Sequence, residues 1–168
     1  KMKQDSYKAE EDEGCMDVFT HYQAMEYLTT RQPKVLYIAY LETDEWAHSK
    51  MYSSYLDAAH HVDTWLQQLW SYVQSTPAYK NKTALLITTD HGRGDIDKSK
   101  WTSHGSKVKG ANEIWFGVMA PGIPAKGEAK TSLQLYQRQI AQTIASLLGK
   151  TFTASHPVAP AIQQIKEK

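Results

Sequence analysis

The chain has 168 residues, 41% hydrophobic and 22% charged, which is typical of one ordinary globular domain that buries a core. The formal net charge is +1, with 19 basic and 18 acidic residues, and the basic residues are scattered, so no nucleic acid polymer is expected as a partner. No apolar run approaches the roughly 20 residues of a membrane span. Cys15 is the only cysteine, which excludes an internal disulfide, and any metal must be held mainly by histidine and carboxylate side chains.

The first half of the chain predicts a lead-in, two helices and a strand. Residues 1–14 are charged and nearly without large apolar side chains, which is typical of a frayed lead-in. Apolar residues recur every three positions from 16 to 30 and predict an amphipathic helix that ends before Pro33. Residues 35–41, VLYIAYL, predict a strand covered on both faces, and residues 51–75 predict a long packed helix. The apolar positions of the first helix are Met16, Phe19, Tyr22, Met25 and Leu28.

The second half predicts two more strands and a helix. Residues 83–89 and 114–120 are short apolar runs, and residues 133–148 have helical periodicity and end at Gly149. The order of elements predicts an α/β fold with a mostly parallel central sheet and helices on both faces. We expect residues 15–150 to form this domain, between the lead-in 1–14 and an irregular tail, 151–168.

Candidate metal ligands follow the first predicted strand. The segment ETDEWAH places Asp44 and His48 four residues apart, so a helical turn would bring both side chains to one face. Zinc accepts aspartate and histidine ligands at about 2.0 to 2.2 Å.

Three more candidate ligands follow the second predicted strand. Asp90 and His91 are adjacent, and their side chains can converge at a turn for which Gly92 and Gly94 supply conformational freedom. His104 comes thirteen residues after His91, in WTSHG. Loops at the carboxyl ends of strands in an α/β sheet can direct several such side chains into one crevice.

Each of these residues also has a simpler interpretation. A single aspartate or histidine after a strand is more often a helix cap or a turn former, and Asp44 and Asp90 would then cap helices without any metal. Their occurrence together, in the order D-x-x-x-H, D-H-G and H-G, is what favours a metal site. We expect the four other histidines at the surface. They are His21, His60, His61 and His156.

In this order, ETDEWAH, TTDHGRG and TSHG resemble the last three metal-ligand motifs of the alkaline phosphatase superfamily, most of all its type I phosphodiesterase/nucleotide pyrophosphatase branch. The resemblance covers about residues 33–150 and implies an alkaline phosphatase-like fold. It also implies two zinc ions that clamp the attacking and leaving oxygens at phosphorus. Asp44, His48 and His104 would hold one zinc, and Asp90 and His91 an incomplete second one. Manganese remains an alternative to zinc.

The family places a further aspartate ligand and a serine or threonine nucleophile upstream of the D-x-x-x-H motif. Only 43 residues precede Asp44, and Asp5, Asp12 and Asp17 lie in polar or helical surroundings. We therefore expect this chain to be the carboxyl-terminal portion of a longer enzyme, inactive or nearly so alone, with the remainder of the enzyme or a second copy as partner. The resemblance implies hydrolysis of phosphate monoesters or diesters and a periplasmic or secreted location.

Four residues near the motifs are candidates for substrate contacts. Trp46 and Trp101 could stack a nucleobase or an aryl group, and Arg93 and Lys107 could neutralise a substrate oxyanion. The first alternative function is a sulfatase-type hydrolase, which uses one calcium ion and a modified cysteine. The D-x-x-x-H motif argues against it, and Cys15 is interpreted as a buried packing residue. The second is a metal-stabilised, non-catalytic binding module. An open coordination position would favour the enzyme, and a site closed by four protein ligands the module.

Overall fold

The computed structural model describes residues 16–94, 97–128 and 134–163. The predicted lead-in and Cys15 therefore lie outside the described residues. Within them, the helices are α1 (Asp17–Arg31), α2 (Glu42–His48), α3 (Tyr52–Ser75) and α4 (Ile140–Leu147), and the strands are β1 (Leu85–Thr88) and β2 (Phe116–Met119). Two short 3-10 turns cover Lys98–Lys100 and Gln137–Gln139. No helix in the described part of the chain is long and apolar enough to cross a membrane.

The chain divides into two compact units. The first consists of the described residues of Lys1–Val73 together with His91–Glu113, and the second of those in Gln74–Asp90 and Ile114–Lys168. The first unit contains α1, α2 and most of α3, and it carries all but one of the predicted metal ligands. The remaining one, Asp90, belongs to the second unit.

Helix α1 matches the predicted helix in its bounds but not in its buried face. Its buried residues are Asp17, His21 and Leu28, whereas Tyr22, which the periodicity placed inside, is 54% exposed. The prediction of His21 as a surface residue was therefore wrong, since this side chain is only 1% exposed. Gln32 adopts a left-handed conformation (φ 48°) directly before Pro33 and ends the helix.

The apolar segment 35–41 does not form the predicted strand. Its backbone has no strand pairing in the described residues, and Tyr37 is 87% exposed. A short apolar run cannot by itself specify a paired strand, because pairing depends on a neighbour that is distant in sequence. The segment leads directly into α2, which begins at Glu42.

The second unit contains an antiparallel pair of strands. Leu85 lies opposite Met119, and Thr88 lies opposite Phe116. The predicted mostly parallel central sheet is not present among the described residues, whose only sheet is this two-stranded one. Parallel neighbours need a crossover connection, usually an α-helix, and the described part of the connection between β1 and β2 contains only a 3-10 turn.

Helix α4 and the tail pack together within the second unit. Helix α4 begins later than predicted, after the 3-10 turn, and Gly149 follows it with a left-handed φ of 67°. The buried Thr143 hydroxyl donates to the carbonyl of Gln139 and accepts from the backbone N–H of Ile162 (2.7 and 2.9 Å). The tail is irregular up to Ile162, but this residue is only 3% exposed and so contributes to the core.

Candidate metal centre

Helix α2 presents Asp44 and His48 on one face, as their spacing predicted. Nε2 of His48 lies 3.3 Å from Oδ2 of Asp44. The two side chains are partly exposed, at 33% for Asp44 and 46% for His48. A dissolved ion can therefore reach both of them.

The loop after β1 brings His91 to the same carboxylate. Nε2 of His91 lies 3.6 Å from Oδ1 of Asp44, while Nδ1 donates a hydrogen bond to the carbonyl of Gly92 (2.9 Å). Because a carbonyl oxygen only accepts, the Nδ1 nitrogen carries the proton in this hydrogen bond, and Nε2 is the ring atom that could bind a metal. His91 is thus held in the tautomer that a metal ligand needs.

His104 completes the group. Its Nε2 atom lies 3.7 Å from Oδ1 of Asp44 and 3.0 Å from Nε2 of His48. The ring stacks on that of His91, with centroids 3.7 Å apart and planes inclined by 8°. We refer to Asp44, His48, His91 and His104 as the Asp44 cluster.

The Asp44 cluster contains three residues that could hold a metal ion, Asp44, His91 and His104, and His48 lies beside them. Two ligand atoms of a tetrahedral zinc at about 2.0 to 2.1 Å are themselves about 3.3 Å apart. The Nε2–Nε2 and Nε2–carboxylate separations given above run from 3.0 to 3.7 Å. Ligand atoms of Asp44, His91 and His104 all lie within 4.8 Å of one another. A set of three imidazoles and one carboxylate also suits the chemistry of zinc.

Arg93 forms an ion pair with Asp44. Its guanidinium contacts Oδ1 of Asp44, lies 3.4 Å from the Asp44 carbonyl, and is 3.5 Å from the Trp101 carbonyl. Arg93 is predicted to neutralise a substrate oxyanion, and in the structure its guanidinium faces the carboxylate of Asp44. A cation in this place compensates the negative charge of Asp44.

The structure groups His91 differently from the resemblance. The resemblance assigns His91 to a second zinc together with Asp90, whereas the geometry places His91 with Asp44, His48 and His104. Asp90 belongs to the second unit, where its carbonyl accepts from the side chain of Gln137 (3.2 Å).

Three of the predicted substrate contacts, Trp46, Trp101 and Lys107, differ in burial and in their neighbours. Trp101 is half-buried and packs edge-on against Tyr52 and Tyr55, at centroid distances of 5.3 and 5.9 Å. The two tyrosines were not predicted, although their spacing from Met51 onward places them on the first turn of α3. Trp46 is half-buried on α2, and Lys107 is exposed.

A buried polar group in the first unit was also missed. Tyr40 Oη is hydrogen-bonded to Nδ1 of His21 (3.0 Å), and the His21 ring stacks on Trp65 with centroids 5.3 Å apart. Burial lowers the pKa of His21, with a smaller opposing effect of Gln68, and burial raises the pKa of Tyr40 to about 12. Asp17 has a raised pKa because it is buried, although hydrogen bonds from Leu41 and Glu42 oppose the shift. The spacing 17, 21, 28 along one helix face was the available sequence signal.

A family model described as type I phosphodiesterase / nucleotide pyrophosphatase matches residues 4–155. Comparisons with curated proteins and with solved structures found no match. The matched range includes every residue of the Asp44 cluster and Asp90.

Proposed function

We propose a function from the premise that this chain belongs to the type I phosphodiesterase / nucleotide pyrophosphatase family, a family of metal-dependent hydrolases. The chain, in this proposal, provides the zinc centre at which a phosphate monoester or diester is hydrolysed. The single observation that carries the proposal is the approach of three imidazole Nε2 atoms to the carboxylate of Asp44, at 3.3, 3.6 and 3.7 Å. Histidines that served only as turn formers would have no reason to converge in this way.

Zinc would act at this centre as a Lewis acid and would lower the pKa of a bound hydroxyl or water. Three residues of the Asp44 cluster would hold one ion and leave its fourth coordination position open for the substrate. A second ion, with Asp90 among its ligands, and a serine or threonine nucleophile upstream of Asp44 are further parts of the proposal that derive from the resemblance. So are a periplasmic or secreted location and a partner, either the remainder of the enzyme or a second copy of this chain.

Substrate recognition would rest on the groups beside the cluster. The guanidinium of Arg93 is already directed at Asp44, so a phosphate oxygen at the metal would lie next to a positive charge. The aromatic group of Trp101, Tyr52 and Tyr55 offers a surface on which a nucleobase or aryl group could stack. Trp46 and Lys107 complete the proposed substrate contacts.

A second candidate function is favoured by one distance. The Nε2 atoms of His48 and His104 are 3.0 Å apart, so both could bind the same ion as Asp44 and His91. Four protein ligands would close a tetrahedral site, and such sites stabilise a fold without catalysing a reaction. The chain would then be a zinc-stabilised binding module.

Titration with a phosphate ligand distinguishes the two functions. We would load the chain with one equivalent of zinc and titrate it with phenyl phosphate by calorimetry, beside the same chain freed of metal by a chelator. An open catalytic site predicts binding to the zinc-loaded chain at least tenfold tighter than to the metal-free one, because phosphate occupies the free coordination position. Equal, weak binding to both forms would reject the hydrolase proposal and support the closed site.

A further inference from the structure

The carboxylate of Asp17 serves a helix other than its own. Asp17 is the first residue of α1 and is 1% exposed, and its oxygens accept hydrogen bonds from the backbone N–H groups of Leu41 and Glu42 (2.7 and 3.1 Å). These two groups belong to the beginning of α2. Asp17 therefore caps α2 from a distance of more than twenty residues along the chain.

Glu42 makes the reciprocal hydrogen bond to Asp17. Its Oε1 atom accepts from the backbone N–H of Asp17 (3.0 Å), so two carboxylates connect the beginnings of the two helices through three hydrogen bonds. The residue at the N-cap position of each helix, Met16 or Leu41, has no side-chain oxygen and makes no side-chain cap of its own. The two helix starts thus depend on each other for caps.

Helix α2 needs such support because it is short. It has seven residues, and an isolated helix of this length is not stable in water. Leu41 is held from both sides, since its N–H donates to Asp17 and its carbonyl accepts from the N–H groups of Asp44 and Glu45 (3.0 and 3.3 Å). Leu41 therefore connects the carboxylate of Asp17 to the backbone of Asp44 through hydrogen bonds on both sides.

We propose that Asp17 is a positioning residue for the metal centre, holding α2 so that Asp44 and His48 keep the direction in which they bind the ion. The inference rests on the proposed function, because it assumes that the Asp44 cluster binds zinc. Asp17 is not itself proposed to contact the metal ion or a ligand atom. It acts on the ligands only through the backbone of Leu41 and Glu42.

The test measures zinc affinity by competition with a chromophoric chelator, at a temperature at which every variant is folded. Asp17→Ala removes both acceptors. Asp17→Asn keeps one oxygen for Leu41 but turns an amide nitrogen toward the N–H of Glu42. Thr143→Val is the matched control, since it removes an equally buried polar side chain that accepts from Ile162 in the second unit.

We expect zinc affinity to fall about 10- to 100-fold in Asp17→Ala, as for other residues that orient metal ligands, and by less in Asp17→Asn. The visible absorption bands of the cobalt-loaded chain should shift in both Asp17 variants, because they report the angles between ligands, and Thr143→Val should leave both readouts unchanged. An affinity of Asp17→Ala within twofold of the unaltered chain, or an equal loss in Thr143→Val, would overturn the inference while leaving the metal centre intact. Failure of the unaltered chain to bind zinc would overturn both the inference and the proposed function.

Discussion

Asp44 is the residue on which the site depends. Its carboxylate is approached by the Nε2 atoms of His48, His91 and His104 and by the guanidinium of Arg93. An ion that binds here must share this carboxylate with Arg93. The charge of Arg93 therefore weakens the attraction of the site for cations.

His21 gives the protein a pH dependence of stability. Burial holds its pKa in the folded chain below the ordinary value of 6.5. As the pH falls through 6.5 toward that lowered pKa, the unfolded chain binds a proton that the folded chain does not, so the free energy of unfolding decreases. We predict that His21→Gln makes this decrease smaller, as measured by urea unfolding at pH 7.5 and 5.5.

The exposed His156 supplies the control for that measurement. His156→Gln should leave the difference between the two pH values as it is in the unaltered chain, because this side chain is exposed. All three chains keep the histidines of the Asp44 cluster, so the contribution of these histidines cancels. An unchanged pH dependence in His21→Gln would contradict the account of the buried imidazole.

At the scale of single residues, the sequence indicated the candidate metal ligands but not the buried polar residues that support them. His48 was predictable from its spacing to Asp44, since four residues span one helical turn. The roles of Asp17 and His21 could not be predicted, because the apolar residues of α1 indicated a different buried face. Burial of a polar residue is decided by its tertiary partners, here Leu41, Glu42 and Tyr40, which local periodicity does not report.

The loop that carries His91 depends on close packing of its glycines. From the sequence, Gly92 and Gly94 are predicted to supply conformational freedom to this turn, but neither residue has a left-handed φ. Instead, a Cβ atom on Gly92 would overlap the carbonyl oxygens of Gly110 and Glu113, and one on Gly94 would overlap Lys100. The loop therefore needs glycine because its backbone approaches other backbone closely.

We predict that Gly92→Ala destabilises the chain by about 1–3 kcal/mol, the usual cost of overpacking, because backbone atoms must move to admit the methyl group. The same movement displaces His91, so zinc affinity should fall by tenfold or more. Urea unfolding and chelator competition measure the two effects. Gly105→Ala is the matched control beside His104, since a Cβ there meets nothing within 4 Å, and it should change neither quantity. Equal behaviour of the two variants would contradict the close-packing account.

The elements that the sequence predicted well are those defined by local pattern. The long helix α3 lies within one residue of its predicted beginning and ends where predicted, because its periodicity extends over 24 residues. The sheet was predicted less well. Its strands at 85–88 and 116–119 were located, but their antiparallel register and the unpaired segment 35–41 depend on contacts between distant parts of the chain.

At the scale of the whole molecule, the proposed activity requires that this chain hold a metal ion. Family membership supports metal-dependent hydrolysis, and the Asp44 cluster supplies candidate metal ligands. The fold contributes one short helix and two loop segments that present these ligands within the first unit. Everything proposed about substrate, nucleophile and Asp17 follows from binding at this cluster.

The most direct test is the zinc content per chain after dialysis against buffered zinc, measured for the unaltered protein, His104→Ala and His156→Ala. We predict about one zinc ion per chain at the Asp44 cluster in the unaltered protein and in His156→Ala, and its loss in His104→Ala. A second ion held with Asp90 would not depend on His104 and would therefore add equally to the number in all three proteins. Absence of zinc from the unaltered protein, or an equal content in all three, would contradict the assignment of the metal centre.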